Sequence, residues 1–275
     1  MMSEVSAIVV TLNEADQIRG CLESLQWCDE IVVVDSFSDD ETVETAREYT
    51  DEIYTHEKTG YVEPIREYAI EKTSNEWILN VDADEIVPPA LAERLQRIVD
   101  EDEADNVHSP RKNYMFGRWM KSGGWWPGYR QVMFKKGSVH TSDKIHAGLE
   151  PIDGAEELYI KPDESLAVVH FNYTDIHDFV SRTNRYTSIE SEQREFSYLR
   201  AIINPVREFV YILVKKSGYR MGSRGVVLAL LMLFYKLLVS LKTWEREQWG
   251  GEQIYEQVYD EVRREELQKW DEQRD

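Results

Sequence analysis

Through the first hundred residues, short continuous apolar runs alternate with stretches of helical periodicity. Residues 5–10 (VSAIVV) form a β-rich run, and Asn13 then reads as the N-cap of a helix reaching Leu25, with Ile18, Cys21, Leu22 and Leu25 on one face. Residues 31–34 (IVVV) are apolar throughout, as expected of a strand covered on both faces. In the following SFSDDET, Ser38 and Glu41 have the spacing of a capping box ahead of a helix over 43–49. A strand over 52–55, a helix over 62–72, a strand over 76–81 and a helix opened by Pro88 and Pro89 and running to about Val99 complete the series. This order predicts an α/β fold, a doubly wound and mostly parallel sheet with its ligand crevice at the carboxyl ends of the strands. Asp35 and the acids from Asp82 to Glu85 fall at those ends.

The pattern then changes. Between residues 106 and 169, glycines and aromatics (YMFGRWMKSGGWWPGYRQVMF) predict hairpins and loops built over the crevice, and beyond Asp175 the chain reads as helical. Residues 226–241 (VVLALLMLFYKLLVSL) are apolar except for Lys236 and Ser240, a run shorter than the roughly 20 residues a span requires. With AIINPVREFVYILV upstream and the basic KKSGYRMGSRG between, residues 201–244 read as paired interfacial helices; a hairpin buried against the domain or a second subunit is the alternative. Residues 252–270 carry Tyr255, Val258, Tyr259, Val262 and Trp270 among many charges, which predicts an amphipathic helix packing on the body or on a partner chain. Two domains are expected, a catalytic one over 1–200 and a helical extension over 201–275 that associates with membrane or oligomerises.

Charge sharpens this division. The chain has 275 residues and a net charge of −20, which excludes nucleic acid as a main partner, because that binding rests on neutralising phosphates. Residues 201–244 run the other way, with Arg207, Lys215, Lys216, Arg220, Arg224, Lys236 and Lys242 against the single acid Glu208. The two cysteines, Cys21 and Cys28, match neither a disulfide framework nor a zinc site, and MMSEVSAIVVTLNEAD has no basic-then-apolar leader. A reduced, cytosolic compartment is expected.

The candidate chemistry lies in WILNVDADEIVPP. Two carboxylates one residue apart, turned outward at the open end of a buried strand, can hold Mg²⁺ or Mn²⁺ with positions left for diphosphate oxygens. The plainer alternative is a solvated loop in which Glu85 favours the following helix start.

Taken in order, VVTLNE, VVVDSFSDDET and WILNVDADE resemble the family 2 glycosyltransferases with the GT-A fold, and among them the branch of lipopolysaccharide-core glucosyltransferases. The resemblance implies transfer of a hexose from a nucleoside diphosphate sugar, UDP-linked by preference, to a glycan or lipid-linked acceptor, with inversion, by an enzyme on the inner face of the cell membrane. It also implies roles: Thr11, Asn13 and Glu14 cradle the nucleotide, Asp35 touches the base, and Arg66 in EPIREYA approaches the base or phosphates. Asp82 faces the ribose and lies within reach of the metal, Asp84 holds the metal, and His170 in VVHFNYTDIHDFVSRTNRYTS completes the metal or diphosphate site. Asn184, Arg185 and Tyr186 match the closing element of that branch.

The middle region departs from the family pattern. GGWWPGYRQVMFKKG has Gly128 where an aspartate is usual and Val132 where an arginine is usual, with Arg130 as its displaced substitute; KIHAGLE has Ala147 after His146 in place of a glutamate. Inverting transfer to a hydroxyl needs a carboxylate base, and Asp143 and Glu150 are the remaining candidates. An acceptor that is already an anion, such as a polyprenyl phosphate, needs none. Two other readings compete: a phosphatase of the haloacid dehalogenase type, whose Asp-x-Asp also follows an apolar strand, and an inactive homologue acting as a nucleotide-sugar sensor or membrane scaffold.

Overall fold

A computed structural model describes residues 4–57, 63–141, 148–249 and 252–272. The chain divides into two compact units, 1–176 and 177–275. In the first, β1 (Val5–Thr11), α1 (Ile18–Ser24), β2 (Glu30–Asp35), α2 (Thr42–Ala46), β3 (Ile53–Thr55), α3 (Glu63–Lys72) and β4 (Trp77–Asp82) alternate as the sequence pattern predicts. A two-residue β5 (Glu85–Ile86) and α4 (Pro89–Glu101) follow, then β6 (Asn106–Met115), β7 (Arg118–Trp119), β8 (Gly128–Lys135), β9 (Val139–Thr141), β10 (Leu149–Pro151), β11 (Glu157–Tyr159) and β12 (Val168–Tyr173).

The main sheet runs β3-β2-β1-β4-β8-β6-β12-β5, and β7 and β11 pair with β6. The first four strands are parallel, while β8 enters antiparallel between β4 and β6. Successive strand residues serve opposite layers, which is why these runs are continuously apolar. Ala7, Val9, Val33, Leu79 and Val81 pack with Ile18 and Leu22 of α1 and with Leu91, Leu95 and Ile98 of α4. Ile8, Val32, Val34 and Ile78 pack with Ile65 and Ala69 of α3 on the other side.

Two local expectations are overturned. Asn13 does not cap α1: it sits at φ 55°, and the helix begins five residues later behind Gln17. Its backbone N–H donates to Ser38 Oγ at 2.8 Å and its Oδ1 accepts from the Asp39 N–H at 3.0 Å, so the side chain stitches two loops together. Nor does Ser38 form a capping box. Its hydroxyl and backbone N–H are both spent on Asp35, at 2.5 and 2.9 Å.

The second unit holds α5 (Ile176–Glu192), which starts at the last residue of the first, then α6 (Tyr198–Val210), a π-helical turn over Tyr211–Lys215, a 3-10 turn over Gly218–Met221, α7 (Ser223–Trp249) and α8 (Glu252–Glu272). The unit begins ahead of residue 201 because α5 is tied to α7. Tyr235 Oη donates to Glu190 at 2.8 Å, and Lys242 Nζ donates to Asn184 Oδ1 and Ser188 Oγ, each at 2.8 Å. Asn184 therefore belongs to this helix pairing. In α8, Val258, Tyr259, Val262 and Trp270 are exposed.

The turn into α7 depends on two glycines. A Cβ on Gly225 would lie 1.9 Å from the carbonyl oxygen of Gly218, an overlap with rigid backbone. Gly225→Ala is therefore expected to destabilise this unit by about 3 kcal/mol or more, seen as a second, earlier melting transition by calorimetry while the first unit melts as before.

Candidate active site

The parallel register brings the carboxyl ends of three strands together. Thr11 lies beside Asp35, and Asp82 lies beside Val10, so β1 is flanked by the acids that end β2 and β4. Between β1 and β4 the chain order reverses, the position where doubly wound sheets open a ligand crevice. Thr11 Oγ1, Ser36 Oγ and Arg66 Nε are buried here with no hydrogen-bond partner. Orphaned buried polar atoms are rare enough to call for an occupant, and two hydroxyls and a guanidinium suit a polar, anionic one.

Asp82 is held on both oxygens. Arg66 reaches Oδ1 at 2.7 Å from α3, and Arg130 reaches Oδ2 at 3.0 Å from β8. Glu85, only 1% exposed, ion-pairs with Arg130 and with Arg111 of β6 at 3.1 Å, and it accepts the Asp82 backbone N–H at 3.1 Å. Arg130 also donates to the Asn80 carbonyl at 3.0 Å. Three guanidiniums thus surround two carboxylates. Burial opposes ionisation of Asp82, but Arg130, Arg66 and Arg111 outweigh it and hold the carboxyl far below the usual carboxylate range. Against the same opposition from burial, Arg130 lowers Glu85, and Glu85 and Asp82 raise Arg130. Asp82 and Glu85 are therefore ionised at neutral pH.

Glu85 does not serve the following helix start; it is the centre of this network. Arg130 points into this network, while Val132 is buried in the core. Gly128 has a backbone reason as well, since a Cβ there would press to 3.2 Å on the Trp125 carbonyl oxygen. Arg111 escaped the sequence reading, because nothing in SPRKNYMF marks one basic residue of a strand as pointing inward.

Asp84 and His170 form a second pair. Both are buried, at 8% and 7% exposure, with Nε2 3.4 Å from Oδ2. Asn113 Oδ1 lies 2.8 Å from His170 Nδ1, while the Asn113 amide donates to the Trp125 carbonyl at 3.2 Å. This assigns a ring proton to Nδ1 and turns Nε2 toward Asp84. A carboxylate oxygen and an imidazole lone pair fit a divalent cation, and Asn113 supplies the outer hydrogen bond that such a histidine needs. Among the described residues no group of three or more acids, histidines or cysteines forms a cage. The pair would therefore hold a cation completed by oxygens of a diphosphate and water, the habit of Mg²⁺ and Mn²⁺.

The remaining candidates lie elsewhere. The Glu14 backbone N–H is bound by Thr42 Oγ1 at 2.9 Å, beside the stitched loops. Glu150 lies opposite His140 in the separate β9–β10 hairpin, and Asp143 and His146 fall outside the described residues. Cys21 Sγ touches the Asp82 carbonyl oxygen at 3.5 Å; burial, reinforced by Glu85, pushes its thiol pKa up, so it is a wall and not a nucleophile.

Strand order and crevice are those of a GT-A glycosyltransferase. A mannosyltransferase from Pyrobaculum calidifontis, solved in complex with GDP-Man and Mn²⁺, matches with a TM-score of 0.51 over 90% of this chain and 89% of its own, at 16% identity. The profile of glycosyl transferase family 2 matches residues 6–148, and the chain belongs to that family. It is 26% identical over 259 residues to the lipopolysaccharide core biosynthesis glycosyltransferase LpsC of Rhizobium meliloti, covering 88% of this chain and 92% of that protein. An uncharacterized glycosyltransferase of Rickettsia felis is 24% identical over 254 residues, covering 86% and 88%. Family membership makes the protein a transferase and removes the phosphatase reading.

Proposed function

We propose that this enzyme transfers a hexose from a nucleoside diphosphate sugar, UDP-linked by preference, to a membrane-associated acceptor in the building of a cell-envelope glycan, with inversion at the sugar carbon. The observation that carries the reading is the meeting of the Thr11, Asp35 and Asp82 strand ends beside the buried Asp84–His170 pair. Thr11, Asn13, Glu14 and Asp35 hold the nucleoside, and Asp82 the ribose. Arg66, whose buried Nε has no hydrogen-bond partner, attracts the diphosphate. Asp84 and His170 hold Mg²⁺ or Mn²⁺, with Asp82 near it; when bound, the cation neutralises the leaving diphosphate. The likeness to LpsC supports the envelope glycan and a cytoplasmic enzyme at the inner face of the membrane. GDP-Man and Mn²⁺ in the mannosyltransferase support the donor class and the cation.

For a hydroxyl acceptor, Asp143 serves as base; an anionic lipid phosphate attacks without one. Calorimetric titration of the purified protein with UDP and GDP, with and without Mn²⁺, tests the reading. Micromolar binding of one nucleotide that weakens at least about tenfold without the cation is expected. Absence of binding by either nucleotide would refute it.

A further inference from the structure

α6 is built the wrong way round for a soluble helix. Leu199, Ile202, Ile203, Val206, Val210 and Val214 recur at helical spacing and lie on one stripe that continues into the π-helical turn, yet all six are exposed, between 48% and 70%. The side that meets the rest of the unit buries only Pro205 and Ile212. Ile202, Val206, Val210, Tyr211 and Val214 line an open apolar trough of about 710 Å³, with Arg207 and Lys215 at its edge. Apolar patches of this extent on a soluble protein mark a surface that something covers.

Charge says what covers it. Arg207, Lys215, Lys216, Arg220 and Arg224 are all exposed around the stripe, and none of them is in an ion pair among the described residues. The chain as a whole carries −20. A second copy pairing through this same face would set one basic rim against the other, whereas an anionic bilayer offers phosphates to the rim and acyl chains to the stripe.

The contacts of α7 decide between lying on a membrane and crossing it. α7 is long and apolar enough to span, with mean hydropathy 2.0 over its most apolar window. But Tyr235 and Lys236 are held by Glu190 and Lys242 by Asn184 along α5, and Arg246 by the Ser191 carbonyl in its last turn and the Arg194 carbonyl just beyond it. Spanning would drag that polar seam into hydrocarbon, where its charges are costly.

We infer that the α6 stripe is a membrane-docking face that inserts into the head-group boundary of an anionic bilayer, with α6 lying flat and its basic rim on lipid phosphates. This deepens the reading of a membrane-associated acceptor and rests on it for purpose, but the surface is testable without the active site. The full chain is floated with vesicles of phosphatidylcholine containing phosphatidylglycerol, and with phosphatidylcholine alone. Flotation is expected only with the anionic vesicles, reversed by alkaline carbonate and weakened by salt. Ile202→Glu with Val206→Glu should weaken it by roughly two orders of magnitude. Lys215→Glu with Arg220→Glu should weaken it by roughly fivefold for each residue changed. Nucleotide affinity and melting temperature serve as the folding control, since all four positions are exposed.

Protein that stays in solution with both vesicles overturns the inference. So does a dimer that the stripe substitutions convert to monomer without any flotation, which would assign the face to a second copy, and so does resistance to carbonate, which would make α7 a span. Loss of nucleotide binding with flotation intact would instead count against the donor reading and leave the docking face standing.

Discussion

Replacing Arg130 with methionine should cost about 3 kcal/mol of stability, because it leaves the buried, ionised Glu85 with Arg111 alone and takes from the partly exposed Asp82 one of its two guanidiniums. Arg130 has 10% of its side chain exposed and touches Asp82, Glu85 and the Asn80 carbonyl, and of the two acids only Glu85, at 1% exposure, is shut off from solvent. Thermal unfolding of wild type and Arg130→Met would check the size. A second observable fixes the cause. Both carboxylates have folded pKa values below their unfolded ones, so the stability they contribute is fully present above about pH 4 and is lost as pH falls through the lowered values. The stability gap between the two proteins should stay level from neutrality to about pH 5 and narrow below about pH 4. A gap constant into strong acid would mean that Arg130 matters for packing and not for charge. Adding Glu85→Gln to Arg130→Met should recover part of the loss, since the buried charge left with a single guanidinium is gone.

Asp84→Asn is expected to lower the rate of sugar transfer by about 10²–10³-fold while leaving the melting temperature nearly unchanged. The substitution keeps the side chain's shape and removes the charge that faces His170 Nε2 at 3.4 Å. Asp82 and Glu85 keep their ion pairs with Arg66, Arg111 and Arg130 when Asp84 becomes an amide, so that network is retained in the variant. The same variant should lose the Mn²⁺-dependent part of nucleotide affinity, which titration reads without turnover. Full transfer by Asp84→Asn would remove this residue from the site. His170→Ala should act in the same direction, and Asn113→Ala more weakly, because Asn113 only fixes the ring.

These expectations rest unequally on the sequence. The β1, β2 and β4 runs, and the helices whose apolar faces cover them, were legible because each is a local pattern: a strand buried on both sides is apolar throughout, and a covering helix repeats at 3.6 residues. The place of Asp35 and Asp82 followed, since a strand's end is also where its crevice lies. The α6 segment was legible as one of two apolar helices beside a basic run, but not which of its residues are left exposed. Periodicity gives the face of a helix, and only the contacts of α7 show that this face is left uncovered.

Asn13 failed as a cap because its partners, Ser38 and Asp39, belong to the next loop, and a hydrogen bond across that distance leaves no local signal. Glu85 was read as an aid to the helix that follows it for the same reason. Its partners come from β6 and β8, which reach it only because β8 inserts antiparallel between β4 and β6. The sequence by itself determined the sheet, the acids at its edge and the basic, apolar tail, all consequences of side-chain period and composition. Tertiary structure alone decided that Asp82 would be clamped by arginines and that Asp84 would be left to face His170. Long-range strand pairing chooses which charges meet, and no spacing within one segment encodes that choice.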